Sequence, residues 1–194
     1  MTAGRKMAAI RRELGICQTE LAHKMHMDPI IVDDYENDKC PVSDSILDAF
    51  REATDMNGVP LQESEVSAIE LDLYDWADLI VVNRMECANE RYDNLAHIVK
   101  WSFDAGLQNW FDVFCIMYYH ALGEMDECAK ITDAVQERKY ELTPRQLCIY
   151  WCILGAQEYN KCKYKSAVRF YLKAIDAGGA SGIHIRQLHH DVGT

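Results

Sequence analysis

The sequence predicts an all-α fold, and three observations carry that prediction. Apolar residues recur at spacings of three and four through much of the 194-residue chain, as in helices with one inward face. Four prolines and ten glycines are too few for turn-rich β structure. Helix stops and starts punctuate the periodic segments, with Gly15, Asp28-Pro29 and Asn57-Gly58-Val-Pro60 among them.

Composition bounds the function classes. Hydrophobic residues make up 49% and charged residues 26%, enough apolar surface for a real core. The formal charge of −11 argues against a protein that coats nucleic acid by gripping phosphates, and leaves room for a small DNA footprint. No apolar run approaches the ~20 residues of a membrane span; Leu79-Ile-Val-Val82 is short and flanked by Asp78 and Arg84. The polar opening Met1-Thr-Ala-Gly-Arg-Lys runs into a helix rather than a leader, so a cytoplasmic chain is expected. The eight cysteines, most of them in apolar periodic segments, are then expected reduced and buried. No Cys-x-x-Cys pair exists, and Cys148 and Cys152 stand one helical turn apart without a nearby His, so no metal or other cofactor is expected. His189-His190, in a polar tail, is the one pair that could hold a metal adventitiously.

The N-terminal elements follow in order. Residues 5–14 place Met7, Ile10 and Leu14 on one face, and Gly15 ends the helix. A second helix over 16–25 turns Leu21, Ala22 and Met25 inward. Asp28 is an N-cap followed by proline at the first helical position, opening a third helix with Val32 and Tyr35 inward. Asn37-Asp38-Lys39 is a turn, and Pro41-Val-Ser-Asp-Ser opens a fourth helix carrying Ile46, Leu47 and Phe50. Gln18-Thr-Glu-Leu-Ala22, Met27, Val32, Tyr35-Glu-Asn37, Lys39 and Pro41 together resemble the XRE (Cro/repressor-type) helix-turn-helix family over roughly residues 4–55. Domain boundaries follow: 1–56 helix-turn-helix, 57–62 linker, 63–194 helical region.

Beyond the linker, Ile69, Leu73, Trp76 and Ile80 form one stripe. Leu95, Ile98, Val99 and Phe103 form another, and Trp110, Phe114, Met117 and Ala121 a third. Trp151-Cys-Ile-Leu154-Gly155, Tyr164-Lys-Ser-Ala167 and Tyr171-Leu-Lys-Ala174 resemble one tetratricopeptide repeat, departing from it at Glu158, where an aromatic is usual. Trp110, Tyr119 and Gly123-Glu-Met125-Asp-Glu-Cys128 resemble a second, with Cys115-Ile116 in place of Leu-Gly. A fainter copy runs from Trp76 through Tyr92-Asp-Asn-Leu95. Tyr92, Met125 and Tyr164 recur at spacings of 33 and 39, bracketing the ~34-residue period of this repeat, with extra residues expected around Lys139–Pro144. The resemblance implies antiparallel helical hairpins.

Chemistry-bearing motifs are few. No Ser/His/Asp set, phosphate-cradling glycine loop or His-rich metal spacing appears, so an enzyme is not expected. Acidic pairs such as Asp33-Asp34 and Asp126-Glu127 read as solvated helix faces. The helix-turn-helix resemblance implies that the third helix docks on DNA with Pro29, Ile30, Asp33 and Asp34 outward, and that Gln18 contacts a backbone phosphate. Arg11, Arg12, Lys24 and Lys39 are the further phosphate candidates. Bases are usually read by side chains that donate, and this helix offers two carboxylates instead. The first 56 residues hold seven Lys/Arg and eleven Asp/Glu, a net of −4. DNA binding is therefore expected to be weak and salt-sensitive. The repeat resemblance implies a groove lined by Arg84, Met117, His120, Tyr159 and Asn160 for a peptide or protein partner. The expected function is a DNA-binding transcriptional regulator whose repeat region senses a peptide or partner or mediates homodimerisation. The alternative is a regulator-derived interaction module that has lost DNA binding.

Overall fold

The structure, a computed structural model, describes residues 1–181. His189, His190 and the far end of the expected repeat region lie outside the described residues. Among the described residues there is no strand; there are ten α-helices and one 3-10 turn at Lys139–Glu141. The helices are α1 Ala3–Glu13, α2 Gln18–Lys24, α3 Pro29–Glu36, α4 Asp44–Thr54, α5 Glu63–Val81, α6 Met85–Ser102, α7 Ala105–Leu122, α8 Met125–Glu137, α9 Pro144–Asn160 and α10 Tyr164–Ser181. No helix of the described residues is long and apolar enough to cross a membrane.

Local chemistry sets the first four helices. The Thr2 hydroxyl accepts from Arg5 N–H at 3.3 Å and starts α1. Gly15, at φ +69°, ends its last turn in a conformation that costs glycine nothing. The Cys17 sulfur accepts from Glu20 N–H at the start of α2, and the Asp28 carboxylate accepts from Ile30 N–H at 2.8 Å before Pro29. Between α2 and α3 the chain reverses at His26, φ +54°, with Met27 N–H returning to Ala22 O at 2.8 Å. Met7, Ile10, Leu21, Ala22, Val32, Leu47 and Phe50 meet in one core. Each large side chain among them contributes roughly 1.5–3 kcal/mol by leaving water.

The segment expected to be a linker belongs to that core. Met56, Val59 and Leu61 are buried in it. Glu65 accepts from the N–H groups of Leu61 and Gln62 at 2.8 and 3.0 Å and from Arg51 at 2.5 Å. Lys6 donates to Pro60 O at 3.1 Å. Its ammonium is held below the ordinary lysine pKa by burial, against Asp104 and Glu65, which raise it. Turn-forming residues at 57–60 thus make a strapped corner. The chain forms two compact units, one of residues 1–72 with 92–107, the other of 73–91 with 108 onward. The division falls inside α5, α6 and α7.

In the second unit three helix-to-helix turns repeat one geometry. Asn83, Gly123 and Cys162 have positive φ of 58°, 79° and 59°, at intervals of 40 and 39 residues. In each turn that residue's N–H reaches back three residues, to Ile80, His120 or Tyr159. The next N–H reaches back five, to Leu79, Tyr119 or Glu158. A small buried residue follows in the next helix: Ala88, Cys128 and Ala167. Met85, not Tyr92, therefore stands where Met125 and Tyr164 stand, so the aromatic spacing of 33 misplaces the first copy. With a first interval of 40 residues the second, of 39, is no longer than it; the stretch expected to hold extra residues carries the 3-10 turn Lys139–Glu141. α9 and α10 pair closely. A Cβ on Gly155 would meet the Tyr171 ring at 2.7 Å, Trp151 stacks on Phe170 at 5.7 Å, and Lys173 covers Trp151 at 4.3 Å. Trp76 stacks on Phe111 at 5.5 Å and donates to Ala88 O at 3.0 Å. Cys115, Cys128 and Cys148 are buried thiols, but Cys17, Cys40, Cys87 and Cys162 are exposed. The expectation of mostly buried cysteines fails because two of these, Cys17 and Cys162, serve as cap and turn residues.

Candidate functional site

The outer face of α3 is built on a buried ion pair. Val32 and Glu36 point inward, one turn apart. The Arg11 guanidinium, from α1, grips Glu36 with two N–H groups at 2.5 and 2.7 Å and donates a third to Ile16 O at 2.9 Å. Paired this way, Arg11 is no surface phosphate ligand; it fixes α3 against α1. The expectation that it would face DNA does not match its burial.

Lys39 is also committed. Its ammonium stands 2.9 Å from both Asp33 and Asp34. Asp33 accepts as well from Asn37 at 2.8 Å and Gln18 at 3.3 Å. These donors, Lys39 foremost and Gln18 next, hold the Asp33 carboxyl below its usual pKa. Asp33, in turn, holds the Lys39 ammonium above its own. The carboxylates of α3 are therefore partly neutralised, a feature the linear sequence hid. Gln18 spends its amide N–H groups on Asp33 and on Glu36 at 2.9 Å. Arg12 is exposed, and Lys24 is exposed beside Glu20 at 3.4 Å. Pro29 is exposed, Ile30 is 70% exposed and Ile31 42%. Ile31 was missed in sequence because Val32 beside it carries the inward periodicity.

A second feature lies in the other unit. An apolar groove of about 460 Å³ opens between the first helices of the hairpins. α5 supplies Tyr74, Ala77 and Val81; α7 supplies Phe114, Met117, His120 and Ala121; α9 supplies Cys152, Ala156, Gln157 and Asn160. That volume lies in the ordinary range of ligand sites, roughly 300–1,000 Å³. Met117, His120 and Asn160 line it as expected. Arg84 and Tyr159 do not: Arg84 is in the α5–α6 turn, and the Tyr159 ring packs edge-on against Tyr164 at 5.4 Å. Cys152 was missed; burial pushes its thiol up to about 12, with Cys148 adding to the shift, so it stays a neutral, unreactive wall. His120 is held below its ordinary pKa, by burial first and Lys161 second. Among the described residues no group of His, Cys, Asp and Glu is arranged to hold a metal ion.

Compared with protein-family models, curated proteins and solved structures, the chain matches none.

Proposed function

We propose that this chain is a non-enzymatic, DNA-binding transcriptional regulator. In it α2, its turn and α3 act as an XRE-type helix-turn-helix. The repeating hairpins act as a tetratricopeptide-like module whose apolar groove takes a peptide or protein partner. The observation that carries the reading is the α3 mounting. The Arg11–Glu36 pair locks the inward side of that helix while Pro29 and Ile30 stand outward. A helix fixed this way meets a groove without reorganising. The clamping of Asp33 and Asp34 by Lys39 lowers the repulsion that two bare carboxylates would suffer beside phosphates. With Arg11 and Lys39 engaged, phosphate contact falls to Arg12 and Lys24, so affinity is modest and falls steeply with salt.

The second reading is an interaction module that has left DNA. Ile30 and Ile31 favour it, because two adjacent exposed isoleucines are the kind of apolar spot a protein partner buries. An electrophoretic shift on the DNA flanking the protein's own gene separates the two. The regulator reading expects a shift at low salt that Ile30→Arg, an added cation, preserves or strengthens. No shift at low salt, combined with a protein complex that Ile30→Arg breaks, would establish the second reading instead.

A further inference from the structure

The outer face of α10 carries an apolar stripe that no described part of the chain covers. Tyr164, Val168, Leu172 and Ile175 are 56%, 56%, 55% and 48% exposed. Steps of four, four and three residues align them along the helix. The buried side of α10 is a different face, marked by Ala167 and Ala174. Gly179 extends the stripe by one turn, and a Cβ built there would meet nothing within 4 Å. One flank of the stripe carries Lys165 and Arg169 near its start and Asp176 toward its end, all exposed.

We infer that α10 pairs antiparallel with α10 of a second copy of this chain, about a two-fold axis close to Tyr171 and Leu172. In that register Val168 lies opposite the partner's Ile175. Tyr164 lies opposite the partner's Gly179, whose bare backbone leaves room for a ring. In an antiparallel pair the two-fold runs across the helices and brings the same flank of each together. The partner's Asp176 then falls opposite the interval between Lys165 and Arg169, and the reverse pairing repeats it. Parallel pairing about a two-fold would instead turn that flank toward the partner's other flank, which holds Tyr171 and Gly178 and no charge, and would leave Lys165, Arg169 and Asp176 without opposite charges across the contact. The charge pattern thus selects an antiparallel second copy. The inference stands independently of the DNA reading.

Sedimentation equilibrium of the full chain tests it. The expected mass approaches twice the 22.3 kDa of one chain as concentration rises. Leu172→Glu places an unpaired charge in the contact and is expected to weaken the dimer by more than about tenfold. Asp176→Lys also weakens it, and adding Lys165→Asp and Arg169→Asp to that variant restores it. Circular dichroism checks that each variant keeps its helix content. If Leu172→Glu loses helix, the charge reversal at exposed positions carries the test alone. A monomer at every concentration, or a dimer indifferent to both changes, overturns the inference. So does a monomer that buries the stripe against a different protein.

Discussion

Glu36→Gln should loosen the first unit. The glutamine keeps the size of the side chain and removes its charge. It leaves the Arg11 guanidinium buried and facing a neutral amide, where two charge-assisted hydrogen bonds of 2.5 and 2.7 Å had been. The one amide oxygen that remains cannot accept from both Arg11 and Gln18 as the two carboxylate oxygens did. Breaking one side of a buried pair costs about 3–5 kcal/mol. The neighbouring hydrogen bond adds about 1 kcal/mol. With two compact units in the chain, a single unfolding midpoint is a poor readout. Native-state hydrogen exchange reads α1 and α3 separately. Their slowest amides should exchange about a hundredfold faster or more in the variant, since each 1.4 kcal/mol is about tenfold. Replacing both partners, Arg11→Met with Glu36→Leu, should recover most of the loss, because no charge is then left unpaired. Wild-type exchange rates in Glu36→Gln would show that the pair does not hold α3, and the case for a preset outer face would fall with it.

Three further outcomes follow from the same geometry. Asp33→Asn with Asp34→Asn removes two charges and releases Lys39, so general DNA affinity should rise; the slope of log affinity against log salt should steepen by about one phosphate contact, read by shift assays across a salt series. Gly155→Ala drives a Cβ to within 2.7 Å of the Tyr171 ring and should destabilise the α9–α10 hairpin by about 1–3 kcal/mol, measured by native-state hydrogen exchange of the α9 and α10 amides; unchanged exchange there would deny the close approach. His120 is held below its ordinary 6.5 in the folded state, so the unfolded chain takes up the proton first. Its contribution to stability is thus present above that value and lost as pH falls through the depressed folded value; His120→Asn should flatten this part of the thermal-stability profile, and an identical acid limb in wild type and variant would refute it.

The legibility of the chain varied with the range of the interaction involved. The Asp28-Pro29 start of α3 and the Gly15 stop of α1 appear where the residues put them, because caps are settled within four positions. The strapped corner at 56–62 was hidden. Asn57-Gly58-Val-Pro60 has the composition of a linker; Arg51 and Glu65 on either side and Lys6, far away in sequence, strap it inward. The hairpin register was half legible. The Cys115-Ile116 pair and Cys128 stand 39 residues before Leu154-Gly155 and Ala167, as the repeat reading aligned them. Tyr92 misled, since a large aromatic advertises itself in sequence while Asn83, the residue that sets the first turn, is inconspicuous. On α3, alternation identified the inward Val32 but could not show that Lys39 folds back over Asp33 and Asp34, a contact made through a turn.

The most direct test of the central proposal is a nuclease footprint of the purified, folded chain on the DNA flanking its own gene at low salt, repeated at rising ionic strength. A DNA-docking α3 predicts a discrete protected site that fades as salt increases and narrows or vanishes when Pro29 and Ile30 are both replaced by Glu. A uniform cleavage ladder at the lowest salt, from protein whose helix content is intact, would contradict it.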